Sequence, residues 1–329
     1  MLAIECQAYG PPESLVVVEH DAPEPAQGQV RIRVHAAGVN FVDALFVSGA
    51  YQVKIPPPFV PGNELAGEVD GVGPDVEGIA VGDRVMAQVG VGAFAEQVCV
   101  PVRAVRPVPT GMSMEAAAAF QLTYATALYA LRERGAIRPG ETVLVLAAAG
   151  GVGSAAVDVA RRLGARVIAA AGSDEKLELC RRLGAEATIN YDREDLKTRV
   201  RELTNGEGAD LVVDPVGGPY SEAALRATAW EGRFLVIGFA AGEIPRVPLN
   251  LALLRGCQIV GVDWGALSRQ RPEETRPVLA TLDAWASAGE LSPLVTRTWP
   301  LAEAGAALRA VLDRQVAGKA VVTTARGSP

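Results

Sequence analysis

The sequence predicts an α/β protein, in which a doubly wound parallel sheet of Rossmann type is joined to a second, β-rich domain. Three observations carry this. Residues 143–164 run from an apolar strand through a glycine turn into a helix of small residues. Short β-type runs then alternate with helical stretches as far as residue 264, the pattern of a parallel sheet with crossover helices. Before residue 110 the chain instead has β-type runs densely punctuated by Gly and Pro. A length of 329 residues also favours two domains over one.

Taken in order, Leu15-Val16-Val17-Val18 is a β-branched run, and Gln29–Ala37 alternates with Val30, Ile32 and Val34 on one face. Further short strands are expected near 64–72 and 93–100. Ile55–Gly62 contains Pro56, Pro57, Pro58 and Pro61 and must be an extended loop, because successive prolines cannot donate to a sheet or continue a helix. From Glu115 to Arg134 an Ala-rich pattern predicts one helix, ended by Gly135 and Pro139-Gly140. The sheet strands that follow are Val143–Ala148, Ala165–Ala171, Ala187–Tyr191, Asp210–Pro215, Gly232–Phe239 and Gln258–Trp264, with helices expected at 174–183, 193–204 and 219–230. Beyond 265 the alternation stops: a helix near 272–288, a strand near 293–300, a helix from about 301 and a last strand, Lys319–Thr324, are expected to return to the first domain. The predicted division is therefore 1–122, 123–264 and a returning segment 265–329.

A net charge of −7, with 49% hydrophobic and 21% charged residues, fits a soluble globular chain and gives no electrostatic reason to expect nucleic acid or an anionic membrane as partner. Cys6, Cys99, Cys180 and Cys257 are far apart and form no Cys-x-x-Cys pair, so neither a disulfide framework nor a zinc knuckle is expected. The N-terminus lacks a basic segment followed by an apolar one, and the longest apolar stretch, around 142–157, is too short to span a bilayer. A cytoplasmic location is expected.

The turn reads Ala147-x-x-Gly150-x-x-Gly153 between strand and helix, a dinucleotide-binding pattern. Gly150 is expected to make the sharp turn, Gly151 and Val152 to bring backbone to a pyrophosphate, and Gly153 to let helix and strand approach closely. The end of the second strand discriminates between nicotinamide cofactors, since an acid there favours a free ribose 2′-hydroxyl. It reads Ala171-Gly172-Ser173-Asp174-Glu175-Lys176. Ser173 stands where the acid is expected, Lys176 follows one turn on, and Tyr191 ends the next strand; with Gly172 they favour NADPH. Against this, Asp174 brings a negative charge close by. On the alternative reading Asp174 caps its helix, Lys176 is a solvated charge and Tyr191 a strand-end aromatic.

Several segments carry a family resemblance: Ala37-Gly38-Val39-Asn40-Phe41-Val42-Asp43, Pro61-Gly62-Asn63-Glu64-Leu65-Ala66-Gly67, Val81-Gly82-Asp83-Arg84-Val85, the glycine turn, Asp214-Pro215-Val216-Gly217-Gly218 and Gly318-Lys319-Ala320-Val321-Val322. In this order they resemble the medium-chain dehydrogenase/reductase superfamily, which implies that the β-rich domain is GroES-like. Gly49-Ala50-Tyr51 and Ile237-Gly238-Phe239-Ala240-Ala241-Gly242 resemble its zinc-independent quinone oxidoreductase branch. Zinc-dependent members present Cys where this chain has Asn40 and His where it has Asn63, and the four-cysteine lobe of many relatives is missing, so no metal is expected. His20 and His35, in β-type segments, read as strand or surface residues.

The resemblance implies NADPH-dependent reduction of a small quinone, or alternatively of an α,β-unsaturated carbonyl or enoyl thioester. Both are electron-poor acceptors whose developing oxyanion a hydrogen-bond donor can stabilise. Tyr51 is then expected to face the substrate, as proton donor or as a wall of the pocket. Asn40 and Thr126 would flank the nicotinamide, and Gly238, Phe239, Val262, Trp264 and Arg314 would add cofactor contacts. A third reading, NADPH binding without turnover, stays open. If Gln258–Trp264 lies at the sheet edge, it invites pairing into a homodimer.

Overall fold

A computed structural model describes residues 1–291 and 293–324. The chain divides into two units, residues 1–122 with the chain from 283 onward, and residues 123–282.

In the first unit β1 (Leu2–Glu5) pairs antiparallel with β2 (Val16–Glu19). The main sheet starts with β3 (Gln29–Val39), in which Val30, Ile32 and Val34 are buried while Gln29, Arg31 and Arg33 are half-buried, as a strand with one face on the core requires. The helix α1 (Phe41–Val47) follows at once, and then β4 (Glu64–Val72), β5 (Arg84–Gln88), β6 (Gln97–Pro101) and β7 (Val105–Pro107). β3 pairs antiparallel with both β4 and β6. Gly67 is where β4 crosses closest to β3: a Cβ there would lie 2.0 Å from the Arg33 carbonyl oxygen.

The single helix expected over 115–134 is three pieces: α2 (Met114–Ala118), α3 (Gln121–Leu128) and a π-helical turn, Tyr129–Arg134. Ser113 caps α2 by accepting from the Ala116 N–H at 3.1 Å. The Ala119 and Phe120 N–H groups then turn to carbonyls three residues back, which tightens and ends the helix while burying Phe120 completely.

The second unit runs β8 (Thr142–Val145), α4 (Gly151–Arg162), β9 (Arg166–Ala171), α5 (Asp174–Arg182), β10 (Ala187–Asn190), α6 (Leu196–Leu203), β11 (Ala209–Asp214), α7 (Tyr220–Arg226), β12 (Thr228–Val236), α8 (Asn250–Arg255) and β13 (Gln258–Gly261). The strands are all parallel in the order β10-β9-β8-β11-β12-β13, the doubly wound arrangement expected. Its order reverses between β8 and β11, and ligands of such sheets bind at the strand ends by that reversal. The α7 helix stops short of the expected residue 230 because the Ala227 carbonyl accepts from the Ala209 N–H and Thr228 pairs with β11.

Residues 265–282, expected in the returning segment, group with the second unit. They form α9 (Trp264–Gln270) and the start of α10 (Arg276–Ser287). Buried Leu267, Val278 and Leu282 and an Arg132 to Thr281 hydrogen bond of 2.9 Å hold them there. The remaining chain forms β14 (Val295–Pro300), α11 (Ala304–Leu312) and β15 (Lys319–Thr323), and β15 pairs antiparallel with β3 to close the first unit's sheet. Residues 325–329 of that segment lie outside the described residues.

Candidate active site

After β8 the chain reaches Ala147 at φ 46°, and the Gly150 N–H returns to the Ala147 carbonyl at 2.8 Å. The left-handed residue of the turn is thus Ala147, while Gly150, whose N–H closes the turn, is extended and caps α4. Gly153 does what its spacing implies, since a Cβ would stand 2.2 Å from the Ala147 carbonyl oxygen. Gly151 and Val152, half-buried, open the helix, whose first N–H groups have no partner within it and suit an anion.

At the end of β9, Gly172 and Ser173 are half-buried. Ser173, not Asp174, is the N-cap of α5, its hydroxyl accepting from the Lys176 N–H at 3.3 Å. Both Asp174 oxygens are engaged, Oδ1 by Asn190 Nδ2 and Oδ2 by Arg193 Nη1, each at 2.8 Å. The Asn190 hydrogen bond first, and the Arg193 charge next, hold this carboxyl below its ordinary range. Tyr191 packs on Tyr220 with ring centroids 4.2 Å apart. Tyr220 donates to Asp192 at 3.3 Å, and the Asp192 carboxylate lies against Gly172, where a Cβ would meet it at 2.8 Å.

Gly238 and Phe239 follow β12, and Phe239 lines an apolar cavity of about 180 Å³ with Val236, Ile244 and Val247. The glycine turn, the Gly172–Lys176 segment, Tyr191 and Phe239 therefore share the carboxyl ends of the strands. Thr126 is buried in α3, and Val262 and Trp264 are buried as well, with Trp264 packed on Tyr129 at 6.0 Å between centroids.

In the first unit, Asn40 ends β3 and caps α1. Its amide is held on both sides: Oδ1 accepts from Lys319 Nζ at 2.6 Å, and Nδ2 donates to Glu64 Oε1 at 3.0 Å. Lys319 also donates to Glu64 Oε1 at 2.9 Å, while Glu64 Oε2 accepts from the Leu122 N–H at 3.0 Å. The two charged side chains are 3% and 1% exposed. The Asn40 N–H donates to Asp43 at 2.8 Å. Asp43 is wholly buried, and desolvation pushes its carboxyl up to about 7 against the lowering effect of that hydrogen bond. Asn63 donates to the Gly90 carbonyl at 3.2 Å.

Tyr51 lies in the loop after α1, half-buried, with its ring 4.7 Å from that of Phe46. The loop is pinned: Gly49 has φ 66° and abuts the Tyr9 ring, Tyr9 donates to the Ile55 carbonyl at 2.8 Å, and Lys54 donates to the Gly49 carbonyl. Arg314 is exposed after α11 at φ 57°, in the first unit. The roles of Glu64, Lys319 and Asp43 are not among those expected from the sequence. The available signal was a charge at the first position of a strand, directly before apolar residues: Glu64 before Leu65-Ala66 and Lys319 before Ala320-Val321-Val322.

Comparison with known proteins agrees with this architecture. Residues 26–110 match the family model for the alcohol dehydrogenase GroES-like domain, and residues 151–284 that for zinc-binding dehydrogenase. A quinone oxidoreductase-like protein 2 homolog of Nematostella vectensis is 40% identical, over 98% of this chain and 88% of its own length. A quinone oxidoreductase of Pseudomonas aeruginosa is 35% identical over 97% of this chain and 98% of its own. The crystal structure of the Escherichia coli quinone oxidoreductase complexed with NADPH superposes with a TM-score of 0.90 at 31% identity, covering 98% of this chain and all of that one (100%). The protein is an oxidoreductase of the medium-chain dehydrogenase/reductase superfamily. Within that superfamily it belongs to the quinone oxidoreductase branch.

The buried groups can each be tested by substitution. Lys319→Met leaves Glu64 buried without its cation and is expected to lower unfolding free energy by about 3–5 kcal/mol in chemical denaturation; adding Glu64→Gln should recover most of the loss. Asp43 holds its proton in the folded chain up to about pH 7, whereas the ordinary value is 3.8. Between those values the unfolded state has lost a proton that the folded state keeps, so this group makes stability fall as pH rises through the window and level off above it. Asp43→Asn should therefore melt with the wild type near pH 4 and above it at pH 8.

Proposed function

We propose that this chain is an NADPH-dependent, zinc-independent reductase of quinones. The observation that carries the reading is the Asn40–Glu64–Lys319 cluster. At the positions where zinc-dependent relatives present ligands, Asn40 and Asn63 are amides, and the Asn40 oxygen is already taken by an ammonium. A dication beside that ammonium would be repelled, and Glu64 is already paired with it. Among the described residues no three His, Cys, Asp or Glu side chains are grouped to hold a metal ion. The residues present do not fit zinc, and no step is assigned to it.

For the cofactor the residues do fit. Gly150, Gly151, Val152 and Gly153 would hold the pyrophosphate, with Gly153 required by contact with Ala147. Gly172, Ser173, Lys176 and Tyr191 would take the adenosine phosphate, and Thr126, Gly238, Phe239, Val262 and Trp264 of the same unit the remainder. The E. coli relative, named in its structure as complexed with NADPH, supports the assignment. NADPH supplies a hydride when bound.

Without a metal to polarise a carbonyl, the chain depends on orientation and on hydrogen-bond donors, which favours acceptors that are already electron-poor. Quinones are the first choice. Tyr51 favours the second reading, reduction of an α,β-unsaturated carbonyl or enoyl thioester, because its pinned loop gives the phenol a fixed place from which to protonate a carbanion. The two differ in what they ask of the phenol, since a reduced quinone can take its proton from solvent.

Exposed Leu249 (77%) and Leu253 (79%), with Trp230, Ile244, Leu254 and Ile259, and the open edge of β13, support a homodimer formed through this face.

Steady-state rates with NADPH against quinones, enones and a crotonyl thioester test the reading, and inertness towards every quinone would overturn it. Tyr51→Phe is expected to slow alkene reduction about 100-fold and quinone reduction little; equal losses would mean that Tyr51 only shapes the pocket. Leu253→Glu should convert a dimer to a monomer in light scattering, and a monomeric wild type would remove the dimer from the proposal.

A further inference from the structure

The adenosine end of the second unit contains an arrangement that the cofactor reading does not explain by itself. Asp174 opens α5 immediately after Ser173, so a carboxylate stands beside the place where that reading puts a phosphate dianion. The carboxylate is clamped. Asn190, 4% exposed at the end of β10, accepts from the Asp192 N–H through Oδ1 at 3.2 Å and donates to Asp174 Oδ1 through Nδ2. Its own N–H donates to Glu194 at 2.8 Å, which fixes the turn that carries Arg193. Arg193 then reaches back to the second Asp174 oxygen.

The contact is too exposed to matter for the fold. Its side chains are 72% and 68% exposed, and ion pairs in that setting add almost nothing to stability. What the pair does change is the charge at the start of α5, where the guanidinium offsets the carboxylate. We propose that Arg193 tunes cofactor choice by neutralising Asp174, which would otherwise add to the repulsion that the nearby Asp192 carboxylate exerts on the 2′-phosphate of NADPH. This rests on the assignment of Ser173, Lys176 and Tyr191 to that phosphate. Arg193 acts through Asp174 and is a specificity-determining residue, not a catalytic one.

The mechanism distinguishes Arg193 from a direct phosphate ligand. If the guanidinium only cancels a charge, removing both charges is harmless; if it grips the phosphate, removing Asp174 cannot replace it. Dissociation constants of NADPH and NADH, measured by calorimetry at low salt, separate these cases. Arg193→Gln is expected to weaken NADPH about fivefold to tenfold, leave NADH within about twofold, and leave the melting temperature unchanged. Arg193→Gln with Asp174→Asn should bring NADPH back to within about twofold of wild type. A double variant as weak as the single one overturns the inference, and so does an Arg193→Gln chain that keeps the wild-type preference. A wild type that binds both cofactors equally would overturn the NADPH reading itself, and this inference with it.

Discussion

Lys319 places an ammonium where water barely reaches, and three stretches of chain far apart in sequence are arranged around it. Asn40 directly follows β3, Glu64 starts β4 and Lys319 starts β15, the last two 255 positions apart. Burying the charges separately would cost several kcal/mol each, so the arrangement is tolerable only when both arrive together and the remaining polar atoms are satisfied. Here the Glu64 second oxygen takes the Leu122 N–H, and the Asn40 amide bonds to both charged groups. The pair therefore acts as a registry device. β15 can join the sheet beside β3 in one register, because a slip by one residue would turn the ammonium to the opposite face of the strand.

That constraint explains what was legible in the sequence and what was not. Local patterns read correctly: the alternation in β3, the order of strands and helices in the second unit, and the small residue at 153. Each depends on neighbours within a few positions. Long-range demands were not legible. The helix over 115–134 is broken because Phe120 must be buried and the Leu122 N–H must meet Glu64, and neither leaves a mark on helical propensity. Likewise β12 starts early because β11 offers a ladder bond at Ala209. Ala147 takes the left-handed conformation in a turn that its own carbonyl closes on the Gly150 N–H, a conformation that glycine adopts most readily.

Site residues divide the same way. The glycine turn was readable because a helix that starts this close to the preceding strand leaves no room for a Cβ at Gly153. Ser173 and Asp174 were not, since two adjacent capping-competent residues open α5 and only the geometry shows that the serine hydroxyl takes the cap. With Ser173 occupied, Asp174 is released to meet Asn190 and Arg193 across the gap to β10.

The Lys319 cluster also bears on the chemistry proposed. A bound zinc ion gives an acceptor oxygen both positive charge and an open coordination position. The Lys319 ammonium gives a field only, because the side chain is buried and two of its hydrogen bonds go to Asn40 and Glu64. Much of that field is cancelled by Glu64 before it reaches any acceptor. On this reading the cluster holds Asn40 and the start of α1 in place but does not polarise the acceptor. In the function proposed, that task falls to an acceptor that is intrinsically electron-poor, with the Tyr51 phenol, in the loop after α1, as the donor proposed for it. Such a field suits the acceptors proposed, a quinone or an activated alkene, which need no metal to draw charge onto their oxygen.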